Sequence, residues 1–154
     1  MSTYLSVGSP VPEVTVTDQE GNELKLSDFK GKKLLLFFYP KASSSSCTKE
    51  AVSLRDAYAD FQAEGYEVFG VSPDKHRALQ NFINKQELPY RLLSDPDNEL
   101  TKAFGAWGEK KMYGKVYEGL LRTTFLIDEE GKVSHVIEKV KSATHADQIK
   151  ELIG

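Results

Sequence analysis

The run Leu34-Leu35-Leu36-Phe37-Phe38-Tyr39 constrains this chain more than any other feature. It is continuous, not alternating, and Lys32-Lys33 and Pro40 bound it. A strand with one wet face alternates apolar and polar residues. A strand that is apolar at every position is covered on both faces. The run is the longest of its kind here and falls far short of the ~20 residues that cross a bilayer. It therefore reads as a central strand between two covering layers.

The periodicity on either side fits that reading. Residues 14–17 and 24–26 alternate apolar and polar around the polar turn Asp18-Gln19-Glu20-Gly21-Asn22, which predicts a hairpin. From residue 47 to 64 the period lengthens. Ala51, Leu54, Tyr58 and Phe61 recur at three- and four-residue steps, as in an amphipathic helix that Gly65 ends. Residues 67–72 predict a strand, 74–87 a helix, 91–93 a strand and 98–104 a short helix. Residues 123–127 and 133–137 predict two strands joined by Asp128-Glu129-Glu130-Gly131, and Thr144 caps a last helix reaching residue 152. The order β-β-β-α-β-α-β-α-β-β-α implies a three-layer α/β fold with an antiparallel edge. A length of 154 residues, with 40% hydrophobic and no repeat or linker, suits one domain over 1–154.

Charge and cysteine content narrow the function. Lys+Arg is 20 and Asp+Glu is 23, for a net charge of −3, a poor basis for binding a phosphate backbone. No nucleic-acid or membrane partner is expected, and Met1-Ser2-Thr3-Tyr4 shows no signal-peptide pattern. Cys47 is the only cysteine, which excludes an internal disulfide, a CxxC redox motif and a cysteine zinc cluster. His76, His135 and His145 lack metal-ligand spacing. No metal or cofactor is expected, and the setting expected is a reducing, cytoplasmic one.

Cys47 opens the predicted helix, directly after the central strand and a short serine-rich loop. N–H groups in a first helical turn lack intrahelical partners, and the helix dipole is positive there, so a thiolate is favoured. Making a thiol mainly ionised at neutral pH takes about 3 kcal/mol of preferential stabilisation. A helix terminus contributes about 0.3–2 kcal/mol, so a cation must come from elsewhere in the fold. A lone cysteine is also, commonly, a small buried hydrophobe. A tyrosine-phosphatase loop is excluded because position 53 is Ser where that loop needs Arg. A cysteine protease would need His135 or His145, and neither has a supporting signature.

Phe38-Tyr39-Pro40-Lys41, Cys47-Thr48-Lys49-Glu50-Ala51 and Leu54-Arg55-Asp56 resemble the peroxiredoxins, and more narrowly their bacterioferritin comigratory protein or peroxiredoxin Q branch. The likeness continues through Gly70-Val71-Ser72-Pro73-Asp74, Leu92-Leu93-Ser94-Asp95, Phe104-Gly105-Ala106-Trp107-Gly108-Glu109-Lys110 and Arg122-Thr123-Thr124-Phe125-Leu126-Ile127-Asp128. It covers nearly the whole chain in order. The resemblance implies a thioredoxin-like fold, with a central mixed sheet and an N-terminal hairpin, and reduction of peroxides by a thiolate. Carried over by position, Cys47 matches the peroxidatic cysteine. Pro40 and Ser44 match the proline and hydroxyl residue of the motif before it. Arg122 matches the arginine that approaches the sulfur. Substrates would be hydrogen peroxide and small alkyl hydroperoxides, and the branch is often monomeric.

The chain departs from the branch twice. Ser44-Ser45-Ser46 stands where the family usually has Thr-Pro-Gly, which alters loop stiffness and the allowed backbone angles. The resolving cysteine is absent: Val52 occupies one of its usual positions, and the helix after it supplies residues such as Asn84. Regeneration then falls to an external thiol, whether thioredoxin, glutaredoxin or a small thiol. The competing reading is a non-catalytic thioredoxin-like sensor or interaction module. Elsewhere, ordinary roles are expected: a first-turn charge for Glu50, packing for Trp107, a solvated loop over 109–117, and surface or edge positions for the histidines. Arg55 suits either a structural ion pair or support of the active site.

Overall fold

The structure is a computed structural model that describes residues 4–112 and 114–153. In chain order its elements are β1 (Val16–Asp18), β2 (Glu23–Leu24), a 3-10 turn Leu26–Phe29, β3 (Lys33–Phe38), α1 (Ser45–Asp56), α2 (Tyr58–Ala63), β4 (Tyr66–Ser72) and α3 (His76–Gln86). Then follow β5 (Arg91–Ser94), α4 (Glu99–Ala103), β6 (Trp107–Met112), β7 (Lys115–Leu120), β8 (Thr123–Ile127), β9 (Val133–Ile137) and α5 (His145–Ile153). Seven strands form one mixed sheet in the order β2-β1-β5-β4-β3-β8-β9, and β6 and β7 form a separate hairpin.

The apolar run is β3 and its immediate extension, well inside the sheet. It pairs parallel with β4, Leu35 opposite Val68, and antiparallel with β8, Phe38 opposite Thr123. Successive side chains point to opposite faces. Leu35, Phe37 and Tyr39 pack with Leu54 of α1, Phe61 of α2, Phe82 of α3 and Ile149 of α5. Leu36 and Phe38 pack with Leu26, Leu100 of α4 and Phe104 on the other side. Every residue from 35 to 39 is fully buried, which explains why no polar residue interrupts the run. Gly70 of β4 lies beside Phe37, and a Cβ there would lie 2.8 Å from the Phe37 ring and 2.7 Å from Leu92. Only glycine fits there.

Two expectations about elements change. The helix expected over 47–64 starts earlier, at Ser45, and breaks at Ala57, whose φ of −105° and ψ of 7° leave the helical region. The break turns α2 onto β4 and buries Phe61, so the three- and four-residue spacing spans two helices. The loop expected over 109–117 is instead the β6–β7 hairpin, in register from Trp107–Leu120 to Met112–Lys115. Most of its described side chains are exposed, Val116 and Tyr117 included, so no apolar alternation marks it. Trp107 at its base packs against the α4 side of the core, as expected, with Lys102 Nζ 4.8 Å from its ring centre.

Candidate active site

The site forms where β3 ends. Pro40 and Lys41 leave the strand, and Asp74 at the end of β4 catches the chain: Ala42 N–H donates to Asp74 Oδ2 at 2.6 Å. Ser72 Oγ donates to the same oxygen at 2.9 Å, holding the carboxylate in place. Ser43 then takes a left-handed φ of 66° and turns the chain into α1. Ser44 is the N-cap residue, extended at φ −69° and ψ 157°, and its hydroxyl makes no capping bond. Ser45 and Ser46 are the first two helical residues and Cys47 the third. The serines that replace Pro and Gly therefore lie in ordinary helical backbone, and the strained angle falls on Ser43.

Cys47 is 1% exposed. Its cation arrives along the opposite edge of β3. Because β8 runs antiparallel with Thr123 beside Phe38, the residue before Thr123 lies at the end of β3. Arg122 Nη2 donates to Cys47 Sγ at 3.2 Å, and Nη1 donates to Glu50 Oε1 at 2.8 Å. One guanidinium thus bridges sulfur and carboxylate. Burial works against the Arg122 charge, but Glu50 and Cys47 outweigh it and hold the guanidinium protonated more firmly than usual. Glu50 follows Cys47 by three residues and shares its helix face, fully buried. Burial pushes its carboxyl up to about 7, although Arg122 acts to lower it.

Behind Glu50 stands His145, the first residue of α5 and also fully buried. Its Nε2 is 2.7 Å from Thr124 Oγ1 on β8 and 3.5 Å from Glu50 Oε2. Burial pulls its imidazole down to about 4, so it is neutral at physiological pH. Lys110 of β6 lies within electrostatic reach of Arg122. Burial lowers its affinity for a proton, and Arg122 lowers it further while the sulfur opposes this.

The arrangement brings Cys47, Arg122, Ser44 and Pro40 to one end of the sheet. Two residues given ordinary roles from sequence belong to the same network. Glu50 is the buried partner of Arg122, not a solvated first-turn charge, and its spacing from Cys47 was the available signal. His145 is a core residue, not a surface one, and no local pattern announces it. His76 does lie at the exposed edge, 2.6 Å from Thr17 Oγ1. Arg55 takes no part in the network. It donates to Gln86 O at 2.8 Å and pairs with Asp56. Among the described residues no cluster of His, Cys, Asp and Glu is placed to hold a metal ion.

Chemically, a sulfur at a helix start, faced by a fixed bidentate donor and an uncommitted hydroxyl, suits nucleophilic attack with charge leaving along the attack line. The chain is similar to known proteins over most of its length. A family model described as the AhpC/TSA family matches residues 7–136. A putative peroxiredoxin, Bcp, of Haemophilus influenzae is 45% identical over 94% of this chain and 94% of its own. Peroxiredoxin Bcp of Escherichia coli is 41% identical over 94% and 93%. A solved structure of the Xanthomonas campestris bacterioferritin comigratory protein, described for its alkyl peroxide reduction activity, superposes with a TM-score of 0.88 at 33% identity. That match covers 96% of this chain and 97% of that one.

Proposed function

The chain belongs to the AhpC/TSA family, in its bacterioferritin comigratory protein or peroxiredoxin Q branch, and is a thiol-dependent peroxidase with a thioredoxin-like fold; from this we propose that Cys47 is its peroxidatic residue, with Ser44, Arg122 and Pro40 completing the site. The observation that carries the assignment is the 3.2 Å contact between Arg122 Nη2 and Cys47 Sγ. It supplies the cation that a helix start alone cannot replace. The non-catalytic module has no comparable support.

The Cys47 thiolate attacks one oxygen of the peroxide. The S–O bond forms as the O–O bond breaks, and the second oxygen leaves as hydroxide or alkoxide and takes up a proton. Negative charge moves from sulfur to the departing oxygen. Arg122 is placed to hold both ends of that movement with planar donors. The Ser44 hydroxyl is free to donate to the peroxide and accept from it, and the first-turn N–H of Cys47 is a further donor. Pro40 lies two residues beyond β3, at the start of the loop that carries Cys47. The product is a sulfenic acid on Cys47.

With no second cysteine in the chain, an external thiol completes the cycle. It attacks the sulfenic sulfur and expels hydroxide, which leaves as water. A second thiol then displaces Cys47 from the mixed disulfide as thiolate. The substrates are hydrogen peroxide and small alkyl hydroperoxides, and the reductant is thioredoxin, glutaredoxin or a small thiol. The reading extends to one domain over 1–154, acting as a monomer in the cytoplasm. No helix among the described residues is long and apolar enough to cross a membrane. Peroxide consumption with each reductant in turn, alongside light scattering of the reduced and oxidised protein, tests these assignments. Dependence on a second protomer for turnover would contradict the monomer.

A further inference from the structure

One buried polar atom is not used by the chemistry above. Glu50 Oε2 has no hydrogen-bond partner among the described residues, yet it is buried. An unsatisfied carboxylate oxygen in such a place is costly. The atom it faces is His145 Nε2, at 3.5 Å.

The surroundings decide which nitrogen of His145 carries the proton. Gln148 is oriented from outside by backbone groups: Lys141 N–H donates to its Oε1 at 3.1 Å, and its Nε2 donates to Lys139 O at 2.7 Å. The oxygen of Gln148 is therefore the atom 3.0 Å from His145 Nδ1. An oxygen accepts, so Nδ1 must be the N–H of the neutral ring. That leaves a lone pair on Nε2, where the Thr124 hydroxyl donates at 2.7 Å. A neutral Nε2 and an ionised Oε2 would then set lone pair against lone pair at 3.5 Å. A single proton shared by the two groups removes the conflict, the Nε2 lone pair then accepting from both the Glu50 acid and the Thr124 hydroxyl.

Resting on the peroxidase reading of Cys47, we propose that His145 is a positioning residue for that chemistry: with Glu50 it holds one proton behind the Arg122 guanidinium, and losing that proton leaves a full carboxylate on Arg122 that weakens its grip on the sulfur and on the departing oxygen. Arg122 touches both groups, so what Glu50 draws from one arm of the guanidinium is lost from the other. Burial raises Glu50 to about 7 and lowers His145 to about 4, which puts the shared proton mainly on Glu50 between those values. The other titratable groups facing the pair come from separate elements. Arg122 precedes β8 and Cys47 lies on α1. Tyr39 follows β3 and Tyr90 precedes β5, and burial keeps both phenols protonated. Lys110 of β6 acts on Arg122 through its charge.

The test combines imidazole 15N NMR with stopped-flow kinetics. In the reduced wild type the inference requires the Nδ1–H tautomer of His145 near pH 6. It also requires one step near pH 7 seen both at His145 and at the Glu50 carboxyl carbon, with the His145 step absent in Glu50→Gln. The rate of Cys47 oxidation by one equivalent of peroxide, divided by the thiolate fraction from ultraviolet absorbance, should fall roughly tenfold across that step. Glu50→Gln should remove the fall. His145→Asn, which loses the Nε2 acceptor, should move the fall to lower pH, because removing one site of a shared proton lowers the affinity of the pair. An Nε2–H tautomer, or a rate per thiolate that stays flat through the carboxyl step, overturns the inference even in an active peroxidase. A wild type no faster than a free thiol overturns the peroxidase reading, and the role of His145 with it, whichever tautomer is seen.

Discussion

Arg122 Nη2 lies 3.2 Å from Cys47 Sγ across 75 residues of sequence. Two features of β3 create the contact. Its C-terminal end feeds the loop that carries Cys47 into α1, and its antiparallel pairing with β8 sets Thr123 beside Phe38. Displacing β8 by one residue would turn its side chains to the other face and separate the pair.

Replacing Arg122 tests what that contact does. In Arg122→Ala the positive donor 3.2 Å from Cys47 Sγ is lost, so alkylation by iodoacetamide at pH 7 slows. Oxidation by peroxide should fall by about 10²–10³, the usual effect of losing one oxyanion donor. Arg122→Lys restores charge but cannot reach Sγ and Glu50 together with planar donors, so alkylation recovers more than peroxide reactivity. Alkylation and oxidation at wild-type rates in Arg122→Ala would make the residue structural.

Ser45→Pro should stabilise the protein. Ser45 is the first residue of α1, where a missing N–H costs nothing, and Ser44 before it already has the extended backbone that proline demands. The gain is about 0.4–1 kcal/mol, drawn from the unfolded state, and thermal melting measures it. A lower melting temperature would mean that the first turn is not helical in solution.

Val52→Cys should supply an internal resolving thiol. Residues 47 and 52 are five apart on α1, about 7.5 Å of axial rise and about 500° of rotation, so the two sulfurs point apart in the folded helix. Cys47 is also 1% exposed, so an attacking thiol needs the first turn to open. One equivalent of peroxide should give the intramolecular disulfide, seen by peptide mapping, with less sulfinic acid than wild type. Ser45→Pro added to this variant should slow closure by stiffening the turn that opens. Sulfinic acid or intermolecular dimers alone would mean that α1 does not unwind.

Glu50 and His145 give stability opposite pH dependences. The Glu50 carboxyl is raised from 4.5 to about 7, so its contribution is complete below pH 4.5 and is lost as pH rises through 7. The His145 imidazole is lowered from 6.5 to about 4, so its contribution is complete above pH 6.5 and is lost as pH falls through 4. Between pH 4.5 and 6.5 the two slopes oppose, and wild-type stability should be nearly level. Glu50→Gln leaves the histidine slope alone, so the stability of that variant should climb over the same interval. Urea unfolding from pH 4 to 8 measures both curves. Parallel curves for the two proteins would contradict the shift at Glu50.

What the sequence reveals follows the range of the physics involved. The apolar run of β3, the two hairpins and the helix carrying Cys47 are written in local periodicity, and the structure has them. The meeting of Cys47 and Arg122 was legible because ordered motifs surround each one. The break at Ala57 was not, because Leu54, Tyr58 and Phe61 keep helical spacing across it. The β6–β7 hairpin was not, because a ribbon exposed along most of its length needs no apolar alternation. Glu50 and His145 escaped for a different reason. Their burial comes from α1 meeting the start of α5; the spacing of Glu50 from Cys47 marks only its helix face, and nothing local marks His145.

The most direct test of the central claim is stopped-flow oxidation of reduced protein by one equivalent of hydrogen peroxide at pH 7, followed by mass spectrometry with a sulfenate-trapping reagent. The account predicts oxidation far faster than that of a free thiol, one trapped sulfenate on Cys47, and neither signal in Cys47→Ser. A rate equal to that of a free thiol, or peroxide turnover that persists in Cys47→Ser, would contradict it.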